Sequence, residues 1–254
     1  MDSIVKMLSV VGWSGIVMAK AIAYFPSVLI RKTSRQTLIT HLYQTGIRTL
    51  PVITVVSLFT GMILALQVGL ELRRFNQEVY LGAAVMMSLI REMAPFSCGL
   101  CLAACVGSAI AAEIGTMKVN DEINALETMG IPPLAYLVFP KLLAMLIAMP
   151  LLTVIGDVAG IAGGMLVGVS MEIPLAAYWS RTITVLDFIT FLLGIGKTLC
   201  FAVLITLAGC FCGFKSPPDA QGVGRGATSA VVASIFLVVV ADAVITLLYS
   251  FIGY

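Results

Sequence analysis

Apolar residues run through this chain in five long blocks, at roughly 50–70, 83–112, 136–168, 187–212 and 228–252, and the segments between them hold most of the charges. Each block reaches the length of about 20 residues that an α-helix needs to cross a bilayer's hydrocarbon core. A chain of 254 residues would also suffice for a soluble α/β domain, but a soluble core does not need apolar runs of that length. The second and third blocks exceed one crossing, which predicts tilt or an extension beyond the membrane. Pro95 and Pro150 fall inside blocks, where neighbouring helices can satisfy the backbone groups that proline frees. Ahead of the first block, Ile4, Leu8, Val11, Met18, Ile22 and Phe25 recur near helical spacing, interrupted by Lys6 and Lys20. The pattern predicts an amphipathic helix in the membrane interface, followed by the basic segment RKTSRQTLITHLYQTGIR. A cleaved signal peptide fits less well, because Lys20 breaks the apolar stretch and no small-residue cleavage site stands out. The expected architecture is an all-α integral membrane protein: an N-terminal interfacial segment over 1–45 and a five-span transmembrane domain over 46–254.

Composition agrees with this pattern. Hydrophobic residues make up 60% of the chain and charged residues 11%, with mean hydropathy +1.06. That charged share is less than half of the roughly 25% usual in soluble domains. A net charge of +2 with no basic patch gives no reason to expect a nucleic-acid partner. The distribution of Lys and Arg says more. With a cytoplasmic N-terminus, ten of them (Lys6, Lys20, Arg31, Lys32, Arg35, Arg48, Lys118, Lys141, Lys215 and Arg225) lie inside. Three, Arg73, Arg74 and Arg181, lie outside, and Arg91 and Lys197 stay within spans. The positive-inside rule then places residues 107–130 in the cytoplasm and the C-terminus on the periplasmic side.

The stretch GSAIAAEIGTMKVNDEINALETMG, 107–130, is unusually polar for this chain. Asn120 is expected to cap a short helix, with Asp121 and Glu122 in its first turn, where acidic groups favour the positive end of the helix dipole. Ile123, Leu126 and Met129 mark an apolar edge, and Gly130 is placed as the residue that ends the helix before Pro132 and Pro133. Such a helix either tidies a connection between spans two and three or docks into a groove on a cytoplasmic protein.

Candidate chemistry is sparse. Cys98, Cys101 and Cys105 have a spacing that resembles a metal site, but steps of three and four put them on one helix face, as expected for close helix packing. Arg91 and Glu92 sit inside a span, and an intramembrane charge there costs about 2.5–3.5 kcal/mol on insertion scales. They either pair with other helices or line the polar end of a lipid cavity, with Arg91 attracting a phosphate. Asp157 and Asp242 are expected to hydrogen-bond between helices rather than to relay protons. The glycine-rich stretch GFKSPPDAQGVGRGATS lacks the Gly-Lys-Ser/Thr of a phosphate loop and reads as a cytoplasmic connector, with Thr228 or Ser229 capping span five. The single histidine, His41, stands apart in the basic segment, so no catalytic set emerges and no metal or cofactor is expected on this chain.

Several motifs together resemble the MlaE-type permeases, the membrane subunits of ABC transporters that move phospholipids. These are GMILALQ (61–67), LIREMAP (89–95), VGSAIAAEIGTMKVNDEINALETMGIPP (106–133), FPKLLA (139–144), GIGKTLCF (194–201) and GVGRGATSAVVAS (222–234). The resemblance covers roughly residues 45–252. It implies a homodimer in the bacterial inner membrane that binds two cytoplasmic ABC ATPase subunits and an MCE-domain protein on the periplasmic side. ATP and Mg would be bound and hydrolysed by the partner ATPase, and the lipid movement would maintain outer-membrane asymmetry. The resemblance makes the loop helix between spans two and three the coupling helix, and so assigns ATPase contact to Glu113, Gly115, Thr116, Asp121, Glu122, Leu126, Glu127, Gly130 and Arg225. It places Arg91, Glu92 and Lys197 near the lipid pocket. This chain departs from the family pattern at Cys105 and Ser229, where members commonly have Arg. The main rival is an ion-coupled secondary transporter of a lipophilic substrate, which should show internal repeats that the two halves of this chain lack.

Overall fold

The computed structural model describes residues 32–252, and every regular element among them is helical. Helix α1 (Lys32–Leu42) runs through a π-helical turn (Tyr43–Ile47) towards α2 (Leu50–Arg74), which has Pro51 in its first turn. A short 3-10 turn (Glu78–Tyr80) opens a continuous run of α3 (Leu81–Ser88), α4 (Ala94–Leu102) and α5 (Ser108–Val119). Two further π turns, Leu89–Met93 and Ala103–Gly107, join these pieces. Then come α6 (Glu122–Thr128), α7 (Pro133–Ser170), α8 (Leu175–Thr184), α9 (Phe188–Lys215) and α10 (Ala220–Ile252). Five stretches are long and apolar enough to span a membrane: Gln36–Arg74, Glu78–Val119, Tyr136–Ser170, Phe188–Lys215 and Ala220–Phe251. The expected interfacial helix ahead of residue 32 lies outside the described residues.

The five spans match the five apolar blocks, and their ends differ for local reasons. At 38 residues, α7 is about 57 Å long at 1.5 Å per residue, roughly twice the hydrocarbon thickness. Its Pro133 occupies the first position, where the missing N–H costs nothing. The first span is helical well before residue 50, because the basic segment from Lys32 onward continues into it. The fifth begins at Ala220, so the glycine-rich stretch is helix from that point and neither Thr228 nor Ser229 caps it. Asp219 does: its Oδ1 accepts from the Gly222 N–H at 3.0 Å. Thr228 instead donates back along its own helix to the Gly224 and Arg225 carbonyls.

Asn120 is likewise not the cap of the loop helix. It closes the C-terminus of α5, and its own N–H bonds to the Thr116 carbonyl. Asp121 precedes α6 in the left-handed region, at φ +58°, and its Oδ1 accepts from Asn124 at 2.8 Å. The stop is as expected. Gly130 adopts φ +71°, and the Gly130 and Ile131 N–H groups bond back to the Glu127 and Leu126 carbonyls. Helix α8 has no counterpart among the five apolar blocks.

The described residues form two compact units, one of 32–48, 102–148 and 201–241 and the other of 49–101, 149–200 and 242–252. In the second unit, Leu81, Val85, Leu89, Val167, Ile173 and Tyr178 build a buried apolar core. There α2 and α7 touch backbone to backbone: a Cβ on Gly61 would collide with the Gly160 carbonyl, so position 61 admits no side chain. Helix α8 packs on α3, with the Tyr178 hydroxyl donating to the Ile161 carbonyl at 3.3 Å. Burial pushes that phenol up to about 12. In the first unit, Ile114, Val138, Met145, Ile205 and Ala208 are enclosed. Lys118 ties α5 to the end of α9 by donating to the Phe214 and Ser216 carbonyls, both at 2.8 Å. Those are carbonyls that a helix terminus leaves without intrahelical partners.

Candidate functional site

The second unit holds a charged network among apolar helices. Lys197 on α9 is 0% exposed, and its Nζ donates to Glu92 Oε2 at 2.6 Å, Asp242 Oδ1 at 3.0 Å and Thr246 Oγ1 at 2.7 Å. An ammonium has three protons, so its donors are used up. The Thr246 hydroxyl donates in turn to the Glu92 carboxylate. Tyr249 flanks the site, with its ring centre 6.0 Å from the ammonium and its hydroxyl bonded to the Leu193 carbonyl. One cation thus meets two carboxylates, and their 27% and 19% exposure leaves both acids an open side that Lys197 lacks.

Glu92 reaches this site from the π turn Leu89–Met93, a widened turn of the kind often found where a helix carries function. Arg91 sits on the same turn, half-buried, and makes no hydrogen bond or ion pair among the described residues. Of the three residues assigned to the lipid pocket, Glu92 and Lys197 are joined directly and Arg91 is not part of their network. Asp242, expected to hydrogen-bond between helices, does so with Lys197, and Thr246, for which no role was expected, completes the network. The signal for Asp242 was its isolation within an apolar span, and Thr246 gave none. Asp157, expected to hydrogen-bond between helices, is buried with Oδ1 lacking any partner among the described residues. The three cysteines do not share one environment. Cys98 is buried, Cys101 half-buried and Cys105 exposed, because the π turn Ala103–Gly107 intervenes and shifts the helix face.

The first unit holds the polar stretch. There α6 and its flanks carry Asp121, Glu122, Glu127 and Gly130 on the surface, with Ile123 and Leu126 half-buried and Met129 exposed. Thr116 is exposed as well, whereas Gly115 is packed against Ser216 and Val223. Glu113 turns inward as an ion pair with Lys141, Oε2 to Nζ 2.5 Å, the lysine being 2% and the glutamate 45% exposed. The pair is a close charge contact, and Lys141 Nζ makes no hydrogen bond among the described residues. His41 lies within electrostatic range of both residues rather than standing apart. Arg225 is exposed near the start of α10, 3.4 Å from Asp219.

Five apolar helices with a buried ammonium–carboxylate network in their midst define a multi-pass α-helical membrane protein with a polar site inside its spans. The family model of permease MlaE matches residues 38–248, and this chain belongs to that family. It is 34% identical over 211 residues to the intermembrane phospholipid transport system permease protein MlaE of Haemophilus influenzae, covering 82% of this chain and 81% of the relative. A probable ABC transporter permease protein of Rickettsia conorii is 41% identical over 205 residues, 80% of this chain and 79% of that one. A probable ABC transporter permease protein of the red alga Pyropia yezoensis is 30% identical over 233 residues, 90% and 89% of the two chains.

Proposed function

We propose that this chain is the membrane subunit of an ABC transporter that moves phospholipids between the inner and outer membranes and so maintains outer-membrane lipid asymmetry. Family membership and the function in the Haemophilus relative's name support the reading. The chain is a non-catalytic subunit, and a separate ATPase binds Mg and hydrolyses ATP. It works as a homodimer in the bacterial inner membrane, with its N-terminus cytoplasmic and its C-terminus periplasmic. An MCE-domain protein sits on the periplasmic side, and α6 with its flanks meets the ATPase.

One observation carries the substrate assignment. Arg91 is a guanidinium in an apolar span with no hydrogen bond or ion pair among the described residues, next to a network whose own cation is saturated. A phosphodiester satisfies its planar fork through two parallel hydrogen bonds, which a lysine ammonium could not reproduce. In this reading Arg91 is the direct phosphate contact. Glu92 and Asp242 present carboxylate edges beside it, and Lys197 acts as a positioning residue that holds those edges in place. The test is ATP-dependent transfer of phospholipid between vesicles by the complex reconstituted with its ATPase. Replacing Arg91 with Ala should lower transfer by at least about tenfold, the value of one charge-assisted hydrogen bond, while leaving ATPase binding intact. Unchanged transfer would remove Arg91 from the substrate path. Leu126→Asp on α6 should do the reverse, weakening ATPase binding without altering membrane insertion. Glu113 is a poor probe of coupling, because any change there also strands Lys141.

A further inference from the structure

The first unit carries a second feature that lies outside the charged network and the coupling helix. A groove of about 710 Å³ lies between the end of α9 and the first five turns of α10. One wall is a single helical face of α10, from Arg225 through Thr228, Ser229 and Val232 to Phe236 and Leu237, at steps of three and four. That face is graded: a guanidinium first, then two hydroxyls, then aliphatic and aromatic carbon. The other wall, on α9, repeats the order, with Lys215 at the mouth and Phe211 deeper, the ammonium 5.3 Å from the ring centre. Both cations stand at the α9–α10 connection, and both are exposed. Among the described residues the acid nearby is Asp219, 3.4 Å from Arg225, itself half exposed and committed to the Gly222 N–H.

From Arg225 to Leu237 the α10 face extends about 18 Å at 1.5 Å per residue, a little more than half of a hydrocarbon core about 30 Å thick. The groove therefore has about the length of one leaflet, with cations at its mouth and an apolar floor below. A volume of this size falls in the range that holds a small amphiphile.

We propose that this groove binds one anionic phospholipid of the leaflet facing the α9–α10 connection, as a resident lipid distinct from the transported one. Lys215 and Arg225 take the phosphate, Ser229, whose hydroxyl has no side-chain bond among the described residues, supports it, and an acyl chain lies along Val232, Phe236 and Leu237. Basic pockets between membrane helices select anionic lipids in this way, with each cation near the surface contributing roughly a fivefold preference. Because Arg225 and Lys215 belong to two different spans, the bound lipid joins the ends of α9 and α10. The proposal stands on the groove alone and does not require Arg91 to bind substrate.

The full-length chain, with Trp13 and Trp179 replaced by Phe and Phe236→Trp as the sole reporter, would be placed in nanodiscs with dibrominated phosphatidylglycerol or dibrominated phosphatidylcholine. Half-maximal quenching of the reporter should need about fivefold less of the anionic lipid, given two exposed cations partly offset by Asp219. In Lys215→Gln/Arg225→Gln the two lipids should quench alike, with the phosphatidylcholine curve unchanged as the control for fold. Lys215→Arg/Arg225→Lys should keep the preference, which guards against a loss caused by repacking. Equal quenching in the parent, or a preference surviving in the glutamine pair, would overturn the proposal. So would a reporter that neither lipid quenches, because a second copy or another protein would then cover the groove.

Discussion

Two of the described lysines are buried, and they are satisfied differently. Lys197 gives each of its three protons to a side-chain oxygen, two from carboxylates and one from a hydroxyl. Lys141 is almost as enclosed, yet among the described residues it pairs only with the half-exposed Glu113, at 2.5 Å, and makes no hydrogen bond. A saturated network in low dielectric holds its members in one geometry, whereas a single contact with a partly hydrated acid leaves the cation a cheap way out. The first arrangement fits a site that must keep two carboxylate edges in place. The second fits a joint that needs to give. Their surroundings agree with this division, since the Lys197 network lies among apolar spans and Glu113 is on the helix that leads into the exposed α6.

The largest effect is expected from breaking the saturated site. Lys197→Met leaves Glu92 and Asp242 facing each other without a counter-charge, which in buried sites costs about 3–5 kcal/mol. Denaturant titration of the purified protein in mixed micelles should show that loss. The triple change Lys197→Met/Glu92→Gln/Asp242→Asn should recover most of it, because the charges then leave together. A smaller loss, about 2 kcal/mol, is expected for Glu113→Gln by the same titration: it strands the buried Lys141 ammonium, but the glutamate is already half hydrated and a glutamine keeps a dipole beside it. If the two losses come out equal, the contrast between the lysines is wrong. The smallest stability effect, within about 0.5 kcal/mol, belongs to Arg91→Lys, which touches neither network. Transfer of phospholipid should nonetheless fall about tenfold in that variant, because an ammonium replaces a two-pronged donor. A stability loss without a transfer defect would make Arg91 a structural residue.

Much of the fold was legible along the chain. Five apolar blocks became five spans, and Gly130 followed by two prolines ended α6 where expected. Local chemistry misled at three places. The glycines in GVGRG suggested a loose connector, but Asp219 caps a helix that runs through them, and a membrane environment compensates for glycine's poor helix propensity. Asn120 looked like a cap until α5 ran on to Val119 and used it as an end residue. The ten-residue helix α8 is too short and too polar on one face to register as a span.

By itself, the sequence determined that charges at 91, 92, 197 and 242 lie within apolar helices and must be met by something. That follows from the cost of burying an ion, which depends on the residue and on its depth in the membrane and hardly at all on the partner. Only the tertiary structure decided the pairing. Lys197 meets groups 105, 45 and 49 residues away in the chain, and Arg91 meets none among those described. Helical periodicity fixes which residues share a face within one helix, but the rotation of each helix against its neighbours depends on packing spread along its whole length. A π turn at Leu89–Met93 or a bare contact such as Gly61 on Gly160 resets that rotation, and with it the choice of which neighbouring charge is paired and which is left free.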